Sequence, residues 1–409
     1  MSKRSTLIVS VMIMAGMVLV ACGVPPTAQP TQPPAAQLTA APMGMKGTAV
    51  LWHGWTGAEE ETLKEVIARF QQANPEAKID VLAVPFDQLK NKFTTEAATG
   101  GGPDLMIGPK DWIGELANAG LIAPLDEVGK DILAMLRPST VEANKFKGQV
   151  WAFPESFEAV ALFYNKSMIQ TPPADTDAML ALAKDHGLAW NTGFYHSFGW
   201  IPAFGGQLFD ANQKCILDQG GTDKYLEFMK RVKESPGVTA DSDGGKLDAL
   251  FKDGKVAMIV NGPWATGDYA KALGKENIGV APLPVVKETG KAGAPFLGTK
   301  NIFLSANSKG DSRAVALAFV KHMLSPEMQK LLAEKAGHLP ANKDVTVDDP
   351  VVQGFLKQAE NASYFPNEPE MGAVWTPAGD MITKVIEGKA VAADAVKEAC
   401  TTINQANKK

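Results

Sequence analysis

Apolar positions along this chain follow two alternating rhythms. Thr48-Ala49-Val50-Leu51-Trp52 is a short apolar run of strand type. After Gly57, Leu63, Val66, Ile67 and Phe70 recur at three- and four-residue steps, the spacing of one helix face. Pro75 closes that helix, and Ile79–Val84 predicts a second strand. Strand, helix, strand in this order predicts a parallel pair joined by a helical crossover. Asp87–Ala98 then reads as a helix, Asp104–Ile107 as a strand, and Asp111–Ala119 as a helix with Gly120 at its C-cap.

The alternation returns further on. Tyr225–Lys233 and Gly245–Lys252 read as helices, Asp253-Gly254 as a turn, and Val256–Val260 as a buried strand stopped by Asn261-Gly262-Pro263. Arg313–Leu324, Pro326–Glu334 and most of Ala378–Cys400 read as helical, with Ser325 placed to cap the second of these and Pro326 at its first position. At 409 residues the chain exceeds what one core usually serves, so the pattern predicts an α/β fold in two lobes.

The N-terminal region departs from this rhythm. Lys3 and Arg4 precede the apolar run Leu7–Val20, which is short for a membrane span and ends in Leu19-Val20-Ala21-Cys22. Residues 1–21 therefore read as a signal peptide, and the last four of the run resemble a lipobox that would place a lipid on Cys22. Residues 22–46, rich in Pro, Ala, Gln and Thr with almost no charge, read as a flexible tether. An extracytoplasmic protein anchored to the membrane is the expectation.

Composition removes several function classes. The formal charge is −5 with no basic block, which argues against nucleic acid as a partner. The five His show no metal-ligand spacing and there is no Walker-type run, so neither metal nor cofactor is expected. Beyond Cys22 the chain has Cys215 and Cys400, for which a disulfide and two free thiols are equally open.

The candidate chemistry lies in the tryptophans and carboxylates. Trp55, Trp112, Trp264 and Trp375 each stand beside Gly, Pro or polar residues at predicted strand ends or loops, unlike Trp151 in its apolar run. Asp111 lies at a loop–helix junction, where it could serve as an N-cap. Glu158 precedes the apolar segment Ala159–Tyr164, where a charge needs a partner or a polar cleft. Flat aromatic faces with hydrogen-bonding carboxylates suit a sugar, whose C–H faces stack on rings and whose hydroxyls pair with charged acceptors. Two carboxylates in a cleft also raise an extracytoplasmic lipoprotein glycoside hydrolase, which is the alternative reading. A Gly-x-Ser-x-Gly nucleophile elbow is absent.

Several stretches together carry a family resemblance: Ala97-Ala98-Thr99-Gly100 with Gly102-Pro103-Asp104, Ala119–Ile122, Tyr164-Asn165-Lys166, Asn261-Gly262-Pro263-Trp264-Ala265, and Pro366-Asn367 with Met371 and Trp375. In order and spacing the chain resembles, from about residue 48 to its end, the solute-binding proteins of ABC sugar importers, in their maltose/maltodextrin-binding branch (family 1). The resemblance implies a two-lobed clamp of the periplasmic-binding-protein type (type II), each lobe a mainly parallel sheet flanked by helices. The lobes would comprise 47–155 plus 302–345 and 160–297 plus 350–409, with crossings near Glu155–Val160, Phe296–Asn301 and Ala341–Asp349.

By position, the resemblance makes Asp111 and Glu158 the carboxylates that bond sugar hydroxyls, and Tyr195, Trp264 and Trp375 the stacking aromatics. Trp55, Trp112 and Phe365 are further candidates, Phe365 replacing a Met of the best-known members. Gly108–Trp112 departs from the family's Trp-x-x-Asp-Arg, Gly193 replaces a Glu, and His53–Gly57 replaces an Asp-Lys pair. Longer malto-oligosaccharides, cyclodextrins or other oligosaccharides are thus open as ligands. The expected function is a monomeric, lipid-anchored sugar receptor that closes on an oligosaccharide and delivers it to the permease subunits, without enzymatic activity.

Overall fold

The computed structural model describes residues 45–409; the signal segment, Cys22 and nearly all of the 22–46 tether lie outside the described residues. Two sheets organise the chain. The first is built around β1 (Gly47–His53), which pairs in parallel with β2 (Ala77–Ala83) and β3 (Leu105–Pro109). The helix Gly57–Ala73 makes the crossover between β1 and β2, burying Leu63, Val66, Ile67 and Phe70. Those are the residues whose spacing predicted it.

The chain passes from the first sheet to the second and back. β4 (Phe153–Glu158) belongs to the first sheet, and after two residues β5 (Ala161–Asn165) belongs to the second. The second sheet continues through β6 (Leu188–Asn191), β7 (Val238–Asp241), β8 (Met258–Asn261) and β9 (Ile278–Ala281), in the order β9-β5-β8-β6-β7. The chain returns through β10 (Phe296–Leu304), whose Phe296 packs in the second lobe's core while Ile302 and Leu304 pack in the first's. β11 (Leu339–Pro340) adds to the edge of β4, and β12 (Ser363–Tyr364) joins the start of β10. We call the lobe of β1 the N-lobe and that of β5–β9 the C-lobe.

Both sheets are mixed, where a mainly parallel arrangement was expected. β10 runs antiparallel to β3 and β4, and β5 runs antiparallel to β8 and β9. The passage itself accounts for β4 with β10 and β5 with β9: a chain that leaves one lobe and returns beside its exit must run in opposite directions there.

Some element boundaries also move. Asp111 caps no helix: Lys110–Trp112 form a 3₁₀ turn, and the helix starts at Ile113. The C-terminal helical stretch is two helices, Trp375–Ile386 and Ala392–Ala406, separated at Gly388, whose φ of +71° suits glycine. Cys215 and Cys400 form a disulfide, with Cα atoms 5.4 Å apart, tying a C-lobe loop to the last helix. This decides between the two states that their spacing left open.

Candidate functional site

The turn after β8 shows how the site is built. β8 lies inside its sheet between β5 and β6, and its last residue, Asn261, is held on every side. Its amide donates to Asp248 Oδ1 and to the Tyr269 hydroxyl, both at 2.9 Å, and its Oδ1 accepts from the Gly262 N–H at 2.8 Å. Gly262 leaves its Cα bare, and the Trp264 ring lies where a Cβ would stand. The 3₁₀ turn Pro263–Ala265 then carries Trp264, half-buried, at the sheet's end.

Around Trp264 the structure gathers an aromatic wall. The Tyr195 ring centre lies 6.1 Å from that of Trp264, 6.4 Å from Trp375, 5.9 Å from Phe365 and 6.3 Å from Phe296. Phe365 stacks on Phe296 at 4.7 Å, in space that Gly298 leaves free. The backbone of Phe365 is fixed from the N-lobe, because the buried Lys110 donates to its carbonyl at 2.6 Å and lies 4.0 Å from the Tyr364 ring centre. Burial lowers the Lys110 ammonium to about 8.

The two predicted carboxylates stand on the N-lobe side of this wall. Trp375 Nε1 donates to Asp111 Oδ2 at 3.1 Å, joining an aromatic of one lobe to an acid of the other. Burial pushes Asp111 up to about 7, and Glu158 is likewise raised, first by burial. Asp111 Oδ1 and the Tyr195 hydroxyl are buried with no hydrogen-bond partner among the described residues. Burial raises the Tyr195 phenol well above its ordinary value, and the Glu158 and Asp111 charges add to this. An acceptor and a hydroxyl of this kind pair with ligand hydroxyls, since left alone each costs free energy.

Asp111, Glu158, Tyr195, Trp264, Trp375 and Phe365 are thus brought into one region. Trp55 lies at its edge, edge-on to the His338 ring at 5.0 Å and 5.1 Å from Lys300 Nζ. Trp112 belongs to another set: its ring covers bare Gly108, lies 5.6 Å from Phe86, and packs in the cluster of Trp52 and Phe93.

Sequence reasoning missed the charges behind Glu158. Lys300 ion-pairs with Glu59 and lies 4.0 Å from Glu158. His338 bridges Glu59 at 2.8 Å and Glu155 at 3.0 Å. A lysine inside the otherwise buried run Phe296–Leu304 was the available signal, because a charge there needs partners. Among the described residues no cluster could hold a metal ion.

Comparison with known proteins identifies the family of the chain. The family model described as Bacterial extracellular solute-binding protein matches residues 65–360. A maltotriose-binding protein of Pyrococcus abyssi is 31% identical over 83% of this chain and 78% of its own length. A maltooligosaccharide ABC transporter solute-binding lipoprotein of Streptococcus pneumoniae is 26% identical over 98% and 97%. Among solved structures, the maltotriose-binding protein of Thermus thermophilus bound with maltotriose is 34% identical, covers 88% of this chain and 100% of its own, and has a TM-score of 0.80. A maltose/maltodextrin-binding domain from Bdellovibrio bacteriovorus bound to maltotriose reaches 0.83 at 28% identity, covering 89% and 100%.

Proposed function

This chain belongs to the bacterial extracellular solute-binding proteins, and from that premise we propose that it binds malto-oligosaccharides between its lobes for an ABC importer. The observation that carries the reading is the bond from Trp375 Nε1 to Asp111, which joins the aromatic wall to an acceptor whose second oxygen is unpaired. The relatives' maltotriose and maltooligosaccharide ligands support the choice of sugar.

In this reading Asp111 and Glu158 accept sugar hydroxyls, while Tyr195, Trp264, Trp375 and Phe365 present apolar faces to the rings, with Trp55 at the edge. The lobes comprise 47–155 with 302–345 and 160–297 with 350–409. Sugar contacts shared by both lobes favour the closed arrangement, which the permease subunits recognise. A lipid on Cys22 and the tether that follows keep the receptor near its membrane partner and raise the effective concentration.

Titration of tryptophan fluorescence with maltotriose, maltoheptaose, a cyclodextrin and a glucose-free oligosaccharide tests the reading. A saturable response to the malto-series is expected; silence across the panel would overturn it. Labelled maltoheptaose should be recovered intact after prolonged incubation. Its cleavage would restore the hydrolase reading.

A further inference from the structure

Glu158 is one of three carboxylates that converge on a single buried ammonium. Four segments deliver the group: Glu59 from the first turn of helix Gly57–Ala73, Glu155 and Glu158 from β4, Lys300 from β10, and His338 just before β11. All five residues are buried. The imidazole of His338 is committed elsewhere, its Nε2 to Glu59 and its Nδ1 to Glu155, which also accepts from Gln329 at 3.2 Å. Lys300 Nζ lies 3.4 Å from His338 Nε2, pairs with Glu59, and reaches Glu158 Oε2 at 4.0 Å. Facing Glu158 are therefore Lys300 and, more distantly, His338 as cations, Glu59 and Glu155 as anions, and the neutral Tyr195 phenol from the C-lobe.

A carboxylic acid and a carboxylate meet a sugar differently. Only the carboxylate accepts two hydroxyl hydrogen bonds at full charge-assisted strength. Burial, Glu59 and Glu155 all favour the protonated form of Glu158, and Lys300 is the near group that opposes them.

We propose that Lys300 is a positioning residue for sugar binding: its ammonium, shared between Glu59 and Glu158, holds Glu158 as the carboxylate that accepts sugar hydroxyls. Lys300 acts through Glu158 and Trp55, whose ring it approaches at 5.1 Å. The proposal rests on the sugar-binding reading of Glu158 given above.

The test is the affinity for maltotriose measured from about pH 5 to about pH 9. The parent protein should lose affinity along an acid limb. Lys300→Met should bind about tenfold or more weakly near neutrality, with its limb moved about one unit or more towards alkaline pH, so that binding recovers as pH rises. Lys300→Arg should return the limb to its place. A Lys300→Met variant that binds unchanged, or that weakens equally at every pH, overturns the proposal.

A measurement that does not depend on that variant folding is the proton count on binding, from calorimetry in buffers of different ionisation heat. Near neutrality the parent and Glu158→Gln should exchange the same number of protons. Release of an extra proton by the parent means Glu158 was protonated, and overturns the proposal too. A parent protein that binds no oligosaccharide would overturn the sugar reading itself, and this one with it.

Discussion

Asp268 of the C-lobe accepts a hydrogen bond at 3.0 Å from the backbone N–H of Ala58 in the N-lobe. Ala58 lies in the first turn of helix Gly57–Ala73, whose N-cap residue Thr56 makes no side-chain capping bond. The opposite lobe thus supplies the cap that the helix lacks, and does so with a carboxylate, which the helix N-terminus favours. Gly57, at φ +55°, leaves no room for a Cβ beside that carboxylate. Gly267 likewise lets its own helix approach Ala58 and the Lys335 carbonyl. An exposed pair, Lys271 with Glu61 at 3.3 Å, completes the contact.

The protein itself therefore supplies a direct contact between the lobes. Asp268→Ala should cost closure roughly 1 kcal/mol, the usual worth of a helix cap. Sugar dissociation should then quicken several-fold, and small-angle scattering should show a more open sugar-free protein. Unchanged dissociation and an unchanged radius of gyration would show that the cap contributes nothing to closure.

Asp111 gives folding stability a pH dependence of definite sign. Its carboxyl is raised in the folded protein to about 7, so the folded protein holds a proton more tightly than the unfolded chain does. Stability from this group is greatest below the ordinary aspartate range, falls as pH rises towards 7, and is level above that. Asp111→Asn removes the cost of burying the charge. It should raise the melting temperature of the sugar-free protein at about pH 8, with little effect near pH 4, while weakening oligosaccharide binding. Equal melting shifts at both pH values would assign the gain to packing instead.

Much of the architecture was legible because it is local. The Leu63–Phe70 spacing and the Val256–Val260 run each describe one element, and each appears where expected, the latter as Met258–Asn261. The site was legible only in part. Trp112 and Trp264 look alike in sequence, each near a glycine and a proline, and each ring covers a bare glycine. They differ in what surrounds them, Phe86 and the Trp52 cluster for one, Tyr195 and His196 for the other. The Glu59–Lys300 pair joins residues 241 positions apart, a relation that no periodicity encodes.

The disulfide separates stability from recognition. Cys215 and Cys400, both in the C-lobe, close a loop of 185 residues that runs out through the N-lobe and back. Removing it should lower unfolding free energy by roughly 2–4 kcal/mol, through the wider freedom of the unfolded chain. Denaturation of a Cys215→Ser, Cys400→Ser double variant should show this loss, with sugar affinity within about twofold of the parent at a temperature where both are folded. A parallel loss of affinity would mean that the last helix helps to hold Trp375 in place.

Gly262 offers the sharpest test of the turn that carries Trp264. Its φ of −96° is open to any residue, so no backbone argument requires glycine there. What requires it is the Trp264 ring, which occupies the position of the missing Cβ. Asn261 holds the same turn through Asp248, Tyr269 and the Gly262 N–H, so the backbone has little freedom to yield. In Gly262→Ala the ring must move instead. Trp264→Ala should weaken oligosaccharide binding by roughly 1–3 kcal/mol, the scale of burying a large side chain. Gly262→Ala should approach that loss while Trp264 is still present, with a shifted tryptophan emission maximum and a near-parental melting temperature. If Gly262→Ala binds normally and Trp264→Ala does not, the ring tolerates displacement, and its position on Gly262 is packing rather than part of the sugar platform.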